Sequence, residues 1–188
     1  MDDLEPRAIV VVEGTSDQVA LEALAQRLGR DLASEGVSIV PIGGAQSIGR
    51  FLERFGPGGL NAKLAGLCDA GEERYFRSAL GRAGLGSPAT CADMERLGFY
   101  ICDADLEDEL IRALGSAAVQ EVVDAHGDLG PFRTLQKQAA WQARPREEQL
   151  RRFMSSGGRR KTRYARYLVD ALDLGQVPRP LDLVLAHV

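Results

Sequence analysis

Apolar residues run without interruption from Ala8 to Val12 and stop against Glu13-Gly14-Thr15-Ser16-Asp17. A short continuous run rich in β-branched residues reads as a strand buried on both faces, as in a parallel sheet. Gly14 permits a tight turn. Ser16 or Asp17 then caps a helix whose apolar positions, Ala20/Leu21, Leu24/Ala25 and Leu28, repeat at helical spacing. The alternation continues. Residues 37–42, 63–69 and 97–102 read as further strands, and 47–55, 72–82 and 92–96 as helices or helical turns. Gly43-Gly44, Gly56-Pro57-Gly58-Gly59 and the loop at Gly84 to Pro88 separate them. Strands alternating with helices call for βαβ units and a parallel sheet. The fold class is therefore α/β, with a parallel sheet of about four strands flanked by helices.

From Leu106 onward the pattern is helical only. Leu106, Leu110, Ala113 and Leu114 form one apolar stripe. Asp108 points away from that stripe, where it can pair with Arg112 at i+4, and Glu107 falls at its edge. Asp105 is a natural N-cap. Further helices are expected over 117–125, 132–141, 146–153, 161–172 and 181–186, a helical C-terminal extension. Trp141 is expected in the core, and His126 and His187 at the surface.

Composition narrows the functional classes. In 188 residues, 45% hydrophobic, there is room for a sizeable core, and no apolar run approaches a membrane span. The acidic start of the chain argues against a secretory leader. Cys68, Cys91 and Cys102 are odd in number and lack CxxC spacing, which suits reduced thiols in a cytoplasmic protein better than a zinc site or a disulfide frame. The net charge of -4 conceals an asymmetry: residues 131–167 carry eleven Lys/Arg against two acids, a local charge of +9, and the remainder carries -13. A basic arm on an acidic body suits a polyanion whose phosphates meet the arm while metal ions neutralise the body. A solvated basic surface without a ligand is the plainer reading.

The candidate chemistry lies in the acids that end the strands. Glu13, Asp69 and the group from Asp103 to Glu107 each follow a strand, and in a parallel sheet these ends share one edge, where ligands bind. Taken singly, Glu13 is also a solvated strand end and Asp17 also a helix cap. No Cys/His set accompanies the acids, so an oxygen site for Mg²⁺, Mn²⁺ or Ca²⁺ is the one available. Carboxylates beside a basic arm suggest phosphodiester chemistry, with one or two ions activating a water and a lysine or arginine neutralising the transition state. No P-loop pattern is present, so ATP hydrolysis by this chain is not expected.

Val11-Val12-Glu13-Gly14, followed after a helix, strand and helix by Leu67-Cys68-Asp69-Ala70-Gly71, resembles the TOPRIM domain, a Rossmann-like fold shared by topoisomerases, primases and nucleases. Glu13-Gly14-Thr15-Ser16-Asp17, Asp69, Asp105-Leu106-Glu107-Asp108-Glu109-Leu110 and Lys161-Thr162-Arg163-Tyr164-Ala165, in that order, resemble the landmarks of the nuclease half of the OLD (overcoming lysogenisation defect) family.

The resemblance implies a catalytic core over 7–115 and a basic helical region over 116–188 that completes the site. It implies a metal-dependent DNA endonuclease or nickase. Glu13, Asp17, Asp69, Asp105 and Glu107 would serve a Mg²⁺ or Mn²⁺ site, Glu13 and Lys161 would be catalytic, and Arg159, Arg160 and Arg163 would hold nucleic acid. Its implied partners are DNA, a separate ATPase chain and a second copy of this chain, and not a membrane. This chain begins almost at the first motif, whereas OLD nucleases carry an ATPase domain ahead of it; a borrowed ATPase, or none, is the expectation. Where many TOPRIM proteins have Asp-x-Asp, this chain has Asp69-Ala70-Gly71, so a second ion depends on Glu72, Asp103 or Asp105. The alternatives are a TOPRIM module that binds DNA or assembles without catalysis, and a primase-like nucleotidyl transferase.

Overall fold

The structure, a computed structural model, describes residues 6–188. Strands β1 (Ala8–Val12), β2 (Val37–Pro41), β3 (Lys63–Asp69) and β4 (Phe99–Cys102) pair in the order β2-β1-β3-β4, every pair parallel. The four-stranded α/β sheet is thus present. Its chain order reverses between β1 and β3, because the β1–β2 unit lies to one side and β3–β4 to the other. The carboxyl ends of β1 and β3 therefore flank the topological switch point, the crevice where open α/β sheets bind ligands.

Side chains alternate along each strand and divide the core into two layers. Ile9, Val11, Leu64, Cys68 and Phe99 face α2 (Ile48–Phe55), α3 (Glu73–Arg82) and α4 (Cys91–Arg96). Val10, Val12, Ala65, Leu67 and Cys102 face α1 (Thr15–Arg27), α5 (Leu106–Leu114), α6 (Ser116–Ala125), α7 (Leu129–Gln136), α8 (Arg146–Met154), α9 (Gly158–Ala171) and α10 (Arg179–His187). The C-terminal helices thus share one core with the sheet: Phe132, Leu150, Tyr164, Leu168 and Val184 are all fully buried in that layer. Gly66 in β3 is a close approach. A Cβ there would stand 2.6 Å from the Phe99 ring and 2.9 Å from Val11.

Four local expectations are corrected. The cap of α1 is Gly14, in extended backbone, and not Ser16 or Asp17; Asp17 sits in the first turn and accepts the Gly14 N–H at 2.9 Å, so the helix starts earlier. Helix α7 ends at Gln136 instead of reaching Trp141. The buried Gln149 amide accepts from Gln136 Nε2 (2.8 Å) and donates to the carbonyls of Trp141 (2.8 Å) and Arg144 (3.0 Å). Those bonds tie the segment after α7 down as turns. Trp141 is consequently half-buried in that turn and not a core residue. His187 is also half-buried, its Nδ1 at 3.3 Å from the Tyr100 hydroxyl and its Nε2 2.6 Å from where a Cβ on Gly98 would lie. Gly98 has φ +85°, so a side chain there is excluded on both counts.

Candidate metal and phosphodiester site

Five elements meet at the carboxyl edge of the sheet. Glu13 follows β1, and its Oε1 accepts the Asp69 N–H at 3.1 Å, which ties the ends of β1 and β3 together across the switch point. Asp17 stands in the first turn of α1 with its other oxygen toward Ser16. Asp105 caps α5, with Oδ1 accepting the Asp108 N–H at 2.8 Å. Glu107, in the first turn of α5, has no exposed side-chain surface. Lys161, in the first turn of α9, places Nζ 3.3 Å from Glu107 Oε2. Helices α1 and α9 pack against each other, and so do α5 and α9, which brings residues from opposite ends of the chain to one place.

The electrostatics of the cluster are those of crowded carboxylates. Burial, then the charges of Glu13, Asp17 and Asp105, push Asp69 up to about 8. Burial raises Glu107 to about 7, with Lys161 opposing and Asp105 and Asp17 adding to the rise. Glu13 and Asp17 are also raised, first by burial; the Asp69 N–H and the Gly14 N–H respectively work the other way. Burial would lower Lys161, but Glu107, Asp17 and Asp105 outweigh it and keep the ammonium charged. Neither Glu107 oxygen has a hydrogen-bond partner among the described residues, despite the nearby ammonium. Oε2 has the Lys161 ion pair and Oε1 has no partner among those residues; a buried oxygen left so is costly, and a hard divalent cation is a partner its chemistry suits.

The donor set thus fits such an ion in charge and type. As the side chains are placed, however, no three His, Cys, Asp or Glu among the described residues are gathered closely enough to enclose one. Asp103 is turned away: its side chain is 78% exposed and pairs with Arg112 at 2.9 Å. Asp108 pairs with the same Arg112 at 3.0 Å, as the stripe geometry predicts. Gly71 faces open space, and Glu72, in the 3-10 turn after β3, is the nearby acid whose charge bears on Glu13.

A cavity of about 930 Å³ adjoins the carboxylates. Gly14, Thr15 and Ser16 line it at the start of α1, and Gly158, Arg159, Lys161, Thr162 and Arg163 at the start of α9. Arg160, unlike Arg159 and Arg163, does not line this cavity. Its guanidinium lies over the Phe153 ring, 4.4 Å from the centroid, and donates to Ser156 Oγ at 2.7 Å. Sequence reasoning missed Arg151. This α8 residue donates to Asp105 Oδ2 from Nε (2.7 Å) and Nη2 (2.5 Å), a contact across 46 residues that no local spacing signals.

The fold is an α/β parallel sheet whose carboxyl edge gathers acids on β1, α1, β3 and α5. More particularly, residues 6–70 match the family model for the TOPRIM domain of overcoming lysogenization defect protein-like (OLD-like) proteins. Solved structures of the C-terminal region of OLD proteins extend the likeness over the whole fold. That of Xanthomonas campestris pv. campestris has a TM-score of 0.76 at 23% identity, covering 97% of this chain and 92% of that one. That of Burkholderia pseudomallei has a TM-score of 0.71 at 22% identity, covering 98% and 97%. No match was found among curated proteins. Residues 6–70 are thus similar to an OLD-like TOPRIM domain, and the chain has the fold of the OLD C-terminal region. Glu13, Asp17 and Asp69 fall within the matched segment, whereas Asp105, Glu107 and Lys161 lie beyond it. No helix among the described residues is long and apolar enough to cross a membrane.

Proposed function

We propose that the chain is a metal-dependent DNA endonuclease or nickase. The observation that carries this reading is the fully buried Glu107 carboxylate, ion-paired to Lys161 through Oε2 with Oε1 left without a partner among the described residues, beside Glu13, Asp17 and Asp69. Glu13, Asp17, Asp69 and Glu107 would hold Mg²⁺ or Mn²⁺, with Asp105 in support. A bound ion supplies an activated water and neutralises charge on the phosphate. The protein's own groups do the rest. The Asp69 N–H fixes one Glu13 oxygen and so orients the other, a candidate acceptor for the proton of the attacking water. Lys161, kept charged by the surrounding acids, stabilises the negative charge that grows on the phosphoryl oxygens. Arg159 and Arg163, on the wall of the adjoining cavity, hold the backbone of the nucleic acid. The core at 7–115 supplies the acids, and the region 116–188 supplies the lysine and the arginines. DNA is the partner proposed for this arrangement, with an ATPase chain and a second copy of the protein as further candidates.

Supercoiled plasmid tests it. The purified protein is expected to nick with Mg²⁺ or Mn²⁺ and not with EDTA. Glu13→Ala and Lys161→Ala should each lower the rate by a factor of about 10²–10³, the typical loss on removing one transition-state contact. One observation favours a second reading, a non-catalytic DNA-binding module: the open position at Gly71, where a second acid would stand. DNA binding unchanged by EDTA, with no cleavage in either metal, would establish that reading instead.

A further inference from the structure

The acid that the sequence marks most plainly as a helix cap is also the acid with the fewest free lone pairs. Asp105 Oδ1 accepts the Asp108 N–H at 2.8 Å, and Oδ2 takes both Nε and Nη2 of Arg151, at 2.7 and 2.5 Å. Both oxygens are committed, to an amide and to a guanidinium. Glu107, two residues on, has two buried oxygens, neither in a hydrogen bond among the described residues and only Oε2 in an ion pair, with Lys161 at 3.3 Å. Yet Asp105 is no bystander, since its charge raises Asp17, Asp69 and Glu107. It therefore stands at the rim of the cluster, within electrostatic reach of any ion held there. The Asp105 side chain is 15% exposed and that of Arg151 is 41% exposed, so the pair is shielded on the acid's side and open on the arginine's.

We propose that Arg151 is a resident cation that holds Asp105 out of the metal's ligand set and so weakens and limits metal binding at this site. The inference rests on the metal-dependent reading above and assigns Arg151 as a positioning residue, acting through Asp105. A guanidinium engaging a carboxylate through two N–H groups is a strong, directional pair. It converts a ligand of charge -1 into a neutral pair, and it anchors α8 to the first turn of α5. With Gly71 supplying no acid in the turn after β3, the proposed ligands are the carboxylates of Glu13, Asp17, Asp69 and Glu107, set against Lys161. Release of Asp105 would add a fifth carboxylate close to the first four.

Titration of the full chain with Mn²⁺, read by the electron paramagnetic resonance of the free ion, tests this without any cleavage assay. Arg151→Gln should tighten Mn²⁺ binding by about tenfold or more, since one uncompensated carboxylate within several Å of a divalent ion is worth at least that at an effective dielectric near that of a protein surface. The double variant Arg151→Gln/Asp105→Asn replaces a neutral pair with a neutral pair and keeps an oxygen for the helix cap. It should return to within about threefold of the unmodified chain. Arg151→Lys, which restores the charge, should lie closer to the unmodified chain than Arg151→Gln. Asp17→Asn serves as the reference for loss of a true ligand. If the double variant loses Mn²⁺ as severely as Asp17→Asn, Asp105 is a direct ligand and the proposal fails while the metal reading stands. Unchanged or weaker binding by Arg151→Gln also overturns it. If the unmodified chain takes up no Mn²⁺, both this inference and the metal-dependent function fall together.

Discussion

Asp69 and Glu107 hold protons well above the ordinary range of a carboxylate, to about 8 and about 7 against 3.8 and 4.5. For each, the folded state binds the proton more tightly than the unfolded chain. The stabilisation this gives is complete below the ordinary value and is lost as pH rises through the raised one. Metal-free protein should therefore lose thermal stability between about pH 5 and 8 through these groups. His187, held below its ordinary value by burial, acts in the opposite sense near and below 6.5. Comparison with Asp69→Asn isolates the carboxylate: the variant's melting temperature should gain on that of the unmodified chain as pH rises to 8. Saturating Mg²⁺ should abolish the gain, because a bound cation favours the ionised form. Parallel melting curves at all pH values would show that Asp69 titrates normally. The individual acids were readable in the sequence because each directly follows an apolar strand or starts a helix. Arg151 was not, because its partner is supplied by the packing of α8 on α5 and by no local pattern.

At the level of elements, α9 carries the lysine and α1 carries Asp17, so the site depends on how firmly these two helices are held. Arg27, in the last turn of α1, donates from Nη1 to the carbonyls of Val169 and Leu172 at 2.6 Å each and so satisfies the end of α9. Arg27→Met keeps the alkyl bulk but strands the part-buried Leu172 carbonyl and leaves that of Val169 only the Leu172 N–H at 3.2 Å. It should lower stability by about 1–3 kcal/mol, measured as a shift in the urea midpoint at unchanged slope. No shift would mean that water replaces the guanidinium without loss. The strands and α1 to α5 were legible as periodic patterns with glycine or proline punctuation. Helix α7 was overestimated because residues 137–144 fold into turns that the buried Gln149 amide ties down at the Trp141 and Arg144 carbonyls, eight and five residues away. Propensity cannot register such a tie until the two segments are packed together.

Across the whole molecule, the basic segment 131–167 meets the acidic remainder where the starts of α1 and α9 come together. The cavity between the starts of α1 and α9 turns part of that basic excess toward the acids through Arg159, Lys161 and Arg163. Each phosphate contact removed lowers the slope of log affinity against log salt by about 0.9 on duplex DNA. Arg159→Ala/Arg163→Ala should therefore weaken DNA binding at low salt and reduce the slope by about 2. Arg160→Ala should change the slope little, since its guanidinium is already spent on Phe153 and Ser156. Equal loss of slope from both variants would place the nucleic acid elsewhere on the basic surface.

The apolar runs ending in Glu13, Asp69 and the acids after Cys102 were sufficient to infer a parallel sheet with its acids on one edge. Strand direction and side-chain alternation are local properties, so a pattern of residues can specify them. Tertiary structure alone decided which of those acids face inward. Asp103 and Glu107 lie four residues apart, yet one is exposed on Arg112 and the other is fully buried against Lys161. The rotation of α5 over the sheet and the approach of α8 and α9 settle that difference. These are contacts between segments about 50 residues apart, and their energies depend on burial and charge that no stretch of sequence possesses until the chain has folded.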